Sequence, residues 1–334
     1  MGLSEKPRIA IIGGSGFVGQ ELADELSSCY RVSILDIAEP KFNYSSKIDF
    51  RQVDICNYSL LKDCLNDVDF VIHTAIVQIP LINEDKKLGY DVNIKGIQNT
   101  CQCVDEIERC KGMILTGTWH IMGESGFNGE VDETFGYRPD HVESRAKLYV
   151  ISKTAQEMIV RYFSEMTDKF FGIVRLGTVL GKFMPSGTAA SIFIKKGLNG
   201  GDITPYKHSM HRPMFYVDIR NVRSLFRNIV DLILSGEDHK VPPSSCVNIW
   251  YPKPITILEL AHAIKNGVKQ ISQKSACPKL KIVDQGLPTL FTKQKINIKM
   301  NVSIAEHILN PVELIAPTIS INWIITHYAN IEQL

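Results

Sequence analysis

Gly13-Gly14-Ser15-Gly16-Phe17-Val18-Gly19 follows the strand-like run Arg8 to Ile12 and leads directly into a helix-like segment, Phe17 to Ser28. A strand, a glycine-rich turn and a helix in immediate succession mark the start of a parallel α/β sheet. Glycine lets the backbone turn tightly and approach a pyrophosphate, and the positive end of the helix then meets that charge.

Working outward, apolar runs at Arg31–Asp36, Phe70–Thr74, Met113–Thr116 and Phe170–Leu176 have strand length. Segments of helical periodicity lie between them: Ser59–Leu65, Asp91–Glu108 and Leu148–Met166. The alternation predicts an α/β fold, a doubly wound parallel (Rossmann) sheet covered on both faces. After Gly181 the rhythm gives way to turn-rich stretches at Met184–Gly187, Asn199–Asp202 and Val241–Ser245. Thr256-Ile257-Leu258-Glu259 reads as a capping box opening a helix to about Lys265. The expected organisation is a Rossmann domain over 1–180 to which 214–250 returns. The rest, 181–213 and 251–334, forms a smaller C-terminal substrate-binding region.

Composition narrows the function classes. With 37 basic and 36 acidic residues the net charge is +1, which gives no electrostatic reason to expect nucleic acid or a membrane surface as partner. No apolar run reaches the roughly 18 residues of a membrane helix, so a soluble, cytoplasmic protein is expected. The eight cysteines lack paired C-x-x-C spacing, which favours reduced structural thiols and no metal site.

The second strand ends in Asp36, at about the 20-residue spacing expected of a ribose-binding acid. A carboxylate there accepts both ribose hydroxyls and repels a 2′-phosphate, and Ile37 and Ala38 offer no guanidinium. The cofactor expected is NAD rather than NADP. Tyr149 and Lys153 stand four residues apart on one helix face. A phenol with reference pKa about 10 acts as a base near neutrality only if a nearby cation favours its phenolate, and Lys153 is that cation. Thr118 lies just past Met113–Thr116, at the carboxyl edge where such sheets bind ligands.

The spacing of Gly13, Gly16 and Gly19, together with Thr118, Tyr149 and Lys153, resembles the extended branch of the short-chain dehydrogenase/reductase superfamily. Within that branch the NAD-dependent nucleotide-sugar epimerase/dehydratase family is the nearest likeness, from about Arg8 to about Ile264. The resemblance implies that Ser15, Phe17 and Val18 of the loop, Asp54 and Ile55, Thr74 and Ala75, and Asn93 join the cofactor site. It also implies that Val174–Gly181 is the sixth-strand motif and that Arg212, in Arg212–Asp218, pairs with a substrate diphosphate. By the same analogy Tyr149 takes a hydroxyl proton as hydride passes to NAD, Thr118 polarises the oxygen, and Lys153 also holds the nicotinamide ribose.

Trp119-His120 stands where similar dehydratases carry Asp-Glu and decarboxylases a Glu, which points away from both. Keto-sugar 3,5-epimerases place a proton-transferring Cys at the position of His120, so His120 is a candidate catalytic and substrate-binding residue. Three departures stand out: no Asn near Thr178, no second phosphate-binding Arg in Lys281–Lys295 (where Lys293 or Lys295 would have to substitute), and extra residues, His141–Lys147, before the catalytic helix. The leading expectation is a nucleotide-sugar epimerase that forms and re-reduces a ketone, as a homodimer through Asp91–Glu108 and Leu148–Met166. The alternative is a net dehydrogenase/reductase of a non-sugar alcohol, with Met214 and Phe215 lining an apolar pocket. A scaffold that merely senses NAD is opposed by the intact Thr118, Tyr149 and Lys153.

Overall fold

The computed structural model describes residues 6–40, 48–127, 129–241, 246–271, 278–289, 291 and 298–331. The first half runs β1 (Arg8–Ile12), α1 (Phe17–Ser27), β2 (Arg31–Asp36), β3 (Ile48–Gln52), α2 (Tyr58–Leu65) and β4 (Phe70–His73). Two short helices follow, α3 (Leu81–Glu84) and α4 (Lys86–Tyr90), then a π-turn over Asp91–Gly96 and α5 (Ile97–Glu106). Next come β5 (Gly112–Thr118), a 3-10 turn at Trp119–Met122, β6 (Gly129–Val131), the long helix α6 (Lys147–Met166) and β7 (Phe170–Leu176). The second half contains β8 (Thr178–Leu180), α7 (Ala189–Leu198), β9 (Pro213–Met214), β10 (Tyr216–Asp218), α8 (Ile219–Leu234) and β11 (Cys246–Ile249). It closes with β12 (Ile255–Thr256), α9 (Ile257–Ile271), β13 (Ile298–Met300), α10 (Ser303–Leu309) and α11 (Pro317–Ile331).

Seven strands form one parallel sheet in the order β11-β7-β5-β4-β1-β2-β3. The order reverses between β1 and β4, and the crevice at such a switch point is where open α/β sheets bind ligands. One face packs on α1, α8 and α10 through Leu22, Leu26, Leu225, Phe226 and Leu309. The other packs under α2, α5 and α6 through Leu61, Leu65, Val104 and Val160. A second core, around Trp119, Phe215 and Trp250, joins α7, α9 and α11.

Strand β11 lies on the edge of the main sheet beside β7, and α8 packs on α1, whereas β9 and β10 pair with β12 and β8 in separate two-stranded sheets. Helix α10 shares that core as well, through Ala305, Ile308 and Leu309. The capping box at Thr256 and Glu259 is present, with Glu259 N donating to Thr256 Oγ1 and Thr256 N to Glu259 Oε2. Its helix runs on to Ile271, past the expected end near Lys265, because Val268 still has a core to enter.

Asp91–Glu108 is not one α-helix. It opens with the π-turn and stops at Glu106. The reason is Asn93, whose amide is fully engaged sideways: Oδ1 accepts from Val77 N, and Nδ2 donates to Val77 O and Ser152 Oγ. A π-turn adds the residue needed to aim that side chain inward.

Beneath the long helix, Arg175 of β7 and Glu157 of α6 form an ion pair sealed from solvent, with Arg175 Nη2 3.0 Å from Glu157 Oε2. Arg175 Nη1 also donates to Glu133 O, and Tyr137 OH donates to Glu157. Removing one partner of such a pair strands a buried charge. Arg175→Leu is therefore expected to cost about 3–5 kcal/mol of unfolding free energy in denaturant titration. A loss under about 1 kcal/mol would contradict this account.

Candidate active site

The turn after β1 has the shape the glycines suggested. Gly13 takes φ +75°, and a Cβ there would lie 2.4 Å from Ala75 N; at Gly19 a Cβ would lie 2.6 Å from Gly13 O. Both close approaches exclude a side chain. Helix α1 starts on Gly16, whose lack of a side chain leaves the first-turn amides without a capping acceptor. The positive end of an 11-residue helix is thus open to an anion.

Asp36 closes one side of this cradle, with Oδ2 accepting from Ser15 N at 3.0 Å and Oδ1 from Ala38 N at 3.2 Å. Thr74 Oγ1 donates to the carbonyls of Ile12 and Gly13, pinning the end of β4 to the glycine turn, with Ala75 against it. Asp54 is exposed and accepts from Cys56 N, whereas Ile55 is buried against Gly96. Phe17 and Val18 are half-buried at the start of α1. Together these groups offer what a dinucleotide requires: donors for a pyrophosphate and an acid for a ribose.

Thr118, Tyr149 and Lys153 converge beyond the carboxyl end of β5. Tyr149 is half-buried; burial pushes its phenol above the usual value, and a hydrogen bond with Thr118 pulls it back in part. Lys153 is buried, and Nζ donates to Thr116 O at 2.8 Å. Burial drives its ammonium down to about 7, and Glu157 one turn along the helix opposes the shift. Asn93 reaches this group through Ser152, whose hydroxyl it shares with Tyr149 O. His73 packs beneath, near Thr100 Oγ1. Burial, then the charge of Lys153, hold its imidazole down to about 3, so it stays neutral.

His120 flanks Tyr149, ring centroids 6.4 Å apart, and stacks on Trp119 at 4.0 Å. Its Nδ1 lies 2.9 Å from Glu124 Oε1, close enough for an ion pair though not in line for a hydrogen bond. Glu124 is buried, which by itself would raise its pKa, but His120, Arg212 and the amide of Glu143 hold it at about 2. Arg212, for which a diphosphate partner is expected, is buried here between carboxylates, with Nη1 3.1 Å from Glu143 and 3.5 Å from Glu124. Met214 and Phe215 are also buried, Phe215 between Trp119, Phe127 and Trp250. Lys293 and Lys295 lie outside the described residues.

Glu124, Glu143 and Glu157 belong to this neighbourhood and do not stand out in the sequence. The available signals were the four-residue steps from His120 to Glu124 and from Lys153 to Glu157. Glu143, from the stretch before α6, carried no such mark.

A doubly wound sheet bearing Thr, Tyr and Lys at this edge defines an extended short-chain dehydrogenase/reductase. The chain belongs to the NAD dependent epimerase/dehydratase family, whose model matches residues 9–218, more than half of its length. NAD is accordingly its cofactor. UDP-glucuronic acid decarboxylase 1 of Danio rerio is 26% identical over 289 residues, 83% of this chain and 65% of that protein. Sterol-4-alpha-carboxylate 3-dehydrogenase, decarboxylating, of Bos taurus is 30% identical over 144 residues, 42% of this chain and 39% of that protein. The matches thus span less than two thirds of these relatives' own length. In fold the chain is similar to UDP-glucose 4-epimerase of Thermotoga maritima, solved with UDP-glucose: TM-score 0.77 at 17% identity, over 97% of this chain and 99% of that one.

Tyr149→Phe removes one oxygen and leaves the cradle intact. Turnover is expected to fall by about 10²–10⁴-fold with NAD affinity unchanged, read by steady-state assay and by titration of NAD binding. Undiminished turnover would refute a role for the phenol as base.

Proposed function

We propose that the protein is a nucleotide-sugar epimerase that oxidises a sugar hydroxyl to a ketone and then reduces it again. The observation that carries the reading is the convergence of Thr118, Tyr149 and Lys153 at the edge of a sheet whose first turn offers a dinucleotide cradle. In this assignment Gly13–Gly19 and Asn93 hold or frame the cofactor, with Asp36, Asp54 and Ile55 on its adenosine side and Thr74 and Ala75 beside the pyrophosphate.

Bound NAD supplies the hydride acceptor and, once reduced, the hydride donor. Everything else falls to the chain's own side chains. Thr118 holds the substrate hydroxyl by hydrogen bonding. Tyr149 accepts its proton, and the charge of Lys153, when present, favours the phenolate that must do so. Thr118 and Lys153 are buried, which strengthens the interactions that they make. On the return step the phenol gives the proton back to the same oxygen, leaving inverted configuration when the ketone has presented its other face.

One observation favours the second reading, a net dehydrogenase/reductase of a non-sugar alcohol. Arg212 already has two carboxylate partners, and a diphosphate would have to displace at least one of them. The sterol dehydrogenase relative is consistent with an apolar substrate.

The two readings part in one assay. The purified protein with NAD and a panel of UDP-, GDP-, dTDP- and CDP-sugars is expected to give a product of unchanged mass and altered chromatographic mobility, without net NADH. A silent panel, together with NADH formed from a hydroxysteroid, would overturn the epimerase reading.

The protein is further proposed to be a homodimer. Leu148, Ile151, Met158 and Tyr162 form an exposed apolar stripe along α6, a face suited to burial against a second copy. Light scattering is expected to return twice the 37.5 kDa chain mass. Ile151→Glu with Met158→Glu should give the monomer mass, and an unchanged mass would assign the stripe to something else.

A further inference from the structure

His120 and Glu124 form a unit whose geometry goes beyond the reaction just described. The first observation is orientation. Nδ1 of His120 is buried and faces Glu124 Oε1 at 2.9 Å, so the 22% of the side chain that solvent reaches belongs to the rest of the ring. The ring as a whole stands 6.4 Å from that of Tyr149, centroid to centroid, with the two planes nearly perpendicular.

The second observation is that Glu124 is itself held from three directions. Oε2 accepts the amide of Glu143 at 3.0 Å, its own amide donates to His141 O, and Arg212 approaches Oε1. Gly123, just before it, takes φ +86° and would place a Cβ 2.9 Å from His141 Cβ, so the stretch 138–146 is seated directly on the Gly123–Glu124 turn. Trp119 fixes the plane of the imidazole by stacking, and is fixed in turn by donating from Nε1 to Thr178 Oγ1. A histidine that merely packs does not need a buried carboxylate with its own retaining arginine.

We propose that Glu124 is a positioning residue that keeps the neutral His120 protonated on Nδ1 and leaves Nε2 bare toward the substrate. The electrostatic reason is direct. At 2.9 Å from a carboxylate oxygen, a bare Nδ1 would set two lone-pair-bearing atoms against each other, whereas a proton on Nδ1 replaces one of those lone pairs by a positive hydrogen even where the bond is not in line. The groups facing the imidazole are Glu124 at Nδ1, Tyr149 from α6 at the ring edge and Trp119 on its face; Arg212 and Glu143 act on it only through Glu124.

A bare imidazole nitrogen beside Tyr149 accepts a hydrogen bond from a hydroxyl, so it suits a substrate carrying a second hydroxyl next to the one that is oxidised. This last step rests on the sugar reading above; the orientation of His120 does not.

The test is ¹⁵N NMR of the full-length, NAD-loaded protein labelled at histidine, recorded at pH 8. The His120 signals are identified by their loss in His120→Gln. The expected result is Nδ1 protonated and Nε2 unprotonated in the wild type, with the tautomers mixed in Glu124→Ala and, should that variant fail to fold, in Glu124→Gln. A proton resident on Nε2 of the wild type, or a tautomer indifferent to both Glu124 variants, would overturn the proposal. With a panel sugar that turns over, His120→Gln and Glu124→Gln should each raise KM about three- to tenfold, and the double variant should be no worse than His120→Gln alone. Additive losses would count against the pair acting as a unit. Because the tautomer is read without any sugar, a silent panel would sink the epimerase reading and leave this assignment standing.

Discussion

The buried pair of Glu157 and Arg175 is the constraint on which the site depends. It bolts the middle of α6 to β7 at a fixed rotation, and that rotation decides which helix face looks toward the edge of β5. Lys153, one turn away on the same face, then reaches Thr116 O, and Tyr149, a turn further back, meets Thr118. Neither contact can form if the helix turns by even one residue. A hydrophobic contact between helix and sheet would have given more net stability for less desolvation. A charged pair gives register instead, and it leaves a negative charge near Lys153 that works against the loss of its proton.

Around His120 and Arg212 the charges are arranged differently. Glu124 faces the imidazole of His120 and the guanidinium of Arg212, Arg212 carries two carboxylates, and Glu143 continues the chain to Arg145. Compensation is nearly complete within the protein, so an incoming ligand meets a stiff network of paired charges rather than loose ones. The stretch before α6 is part of this network through Glu143 and His141, and its length is therefore a property of the site and not of a peripheral loop.

Much of this was legible in the sequence, and the reason differs from element to element. The glycine turn, Asp36 and the Tyr149–Lys153 pair were visible because each is a local requirement: a tight backbone, a strand-end acid, one helix face. Helix α9 announced its start through Thr256 and Glu259, whose bonds span three residues. Its end was hidden, since only the distant core around Val268 keeps it helical. The π-turn at Asn93 was illegible for the same reason, its cause lying at Val77 and Ser152. Arg212 was found but its partners were not. Glu124 and Glu143 are 88 and 69 positions away in the chain, a distance over which no periodicity carries information.

Phe17 occupies an unusual place in this architecture. As the first residue of α1 it stands in the cofactor turn, yet its ring packs against both the sheet's core and the second core, and meets Gly181 so closely that a Cβ there would lie 2.7 Å from it. Phe17 thus joins the two cores, together with Leu314 and Trp323, and it alone of the three does so from the glycine turn. A substitution at Phe17 would therefore disturb the glycine turn and the packing of both cores at once.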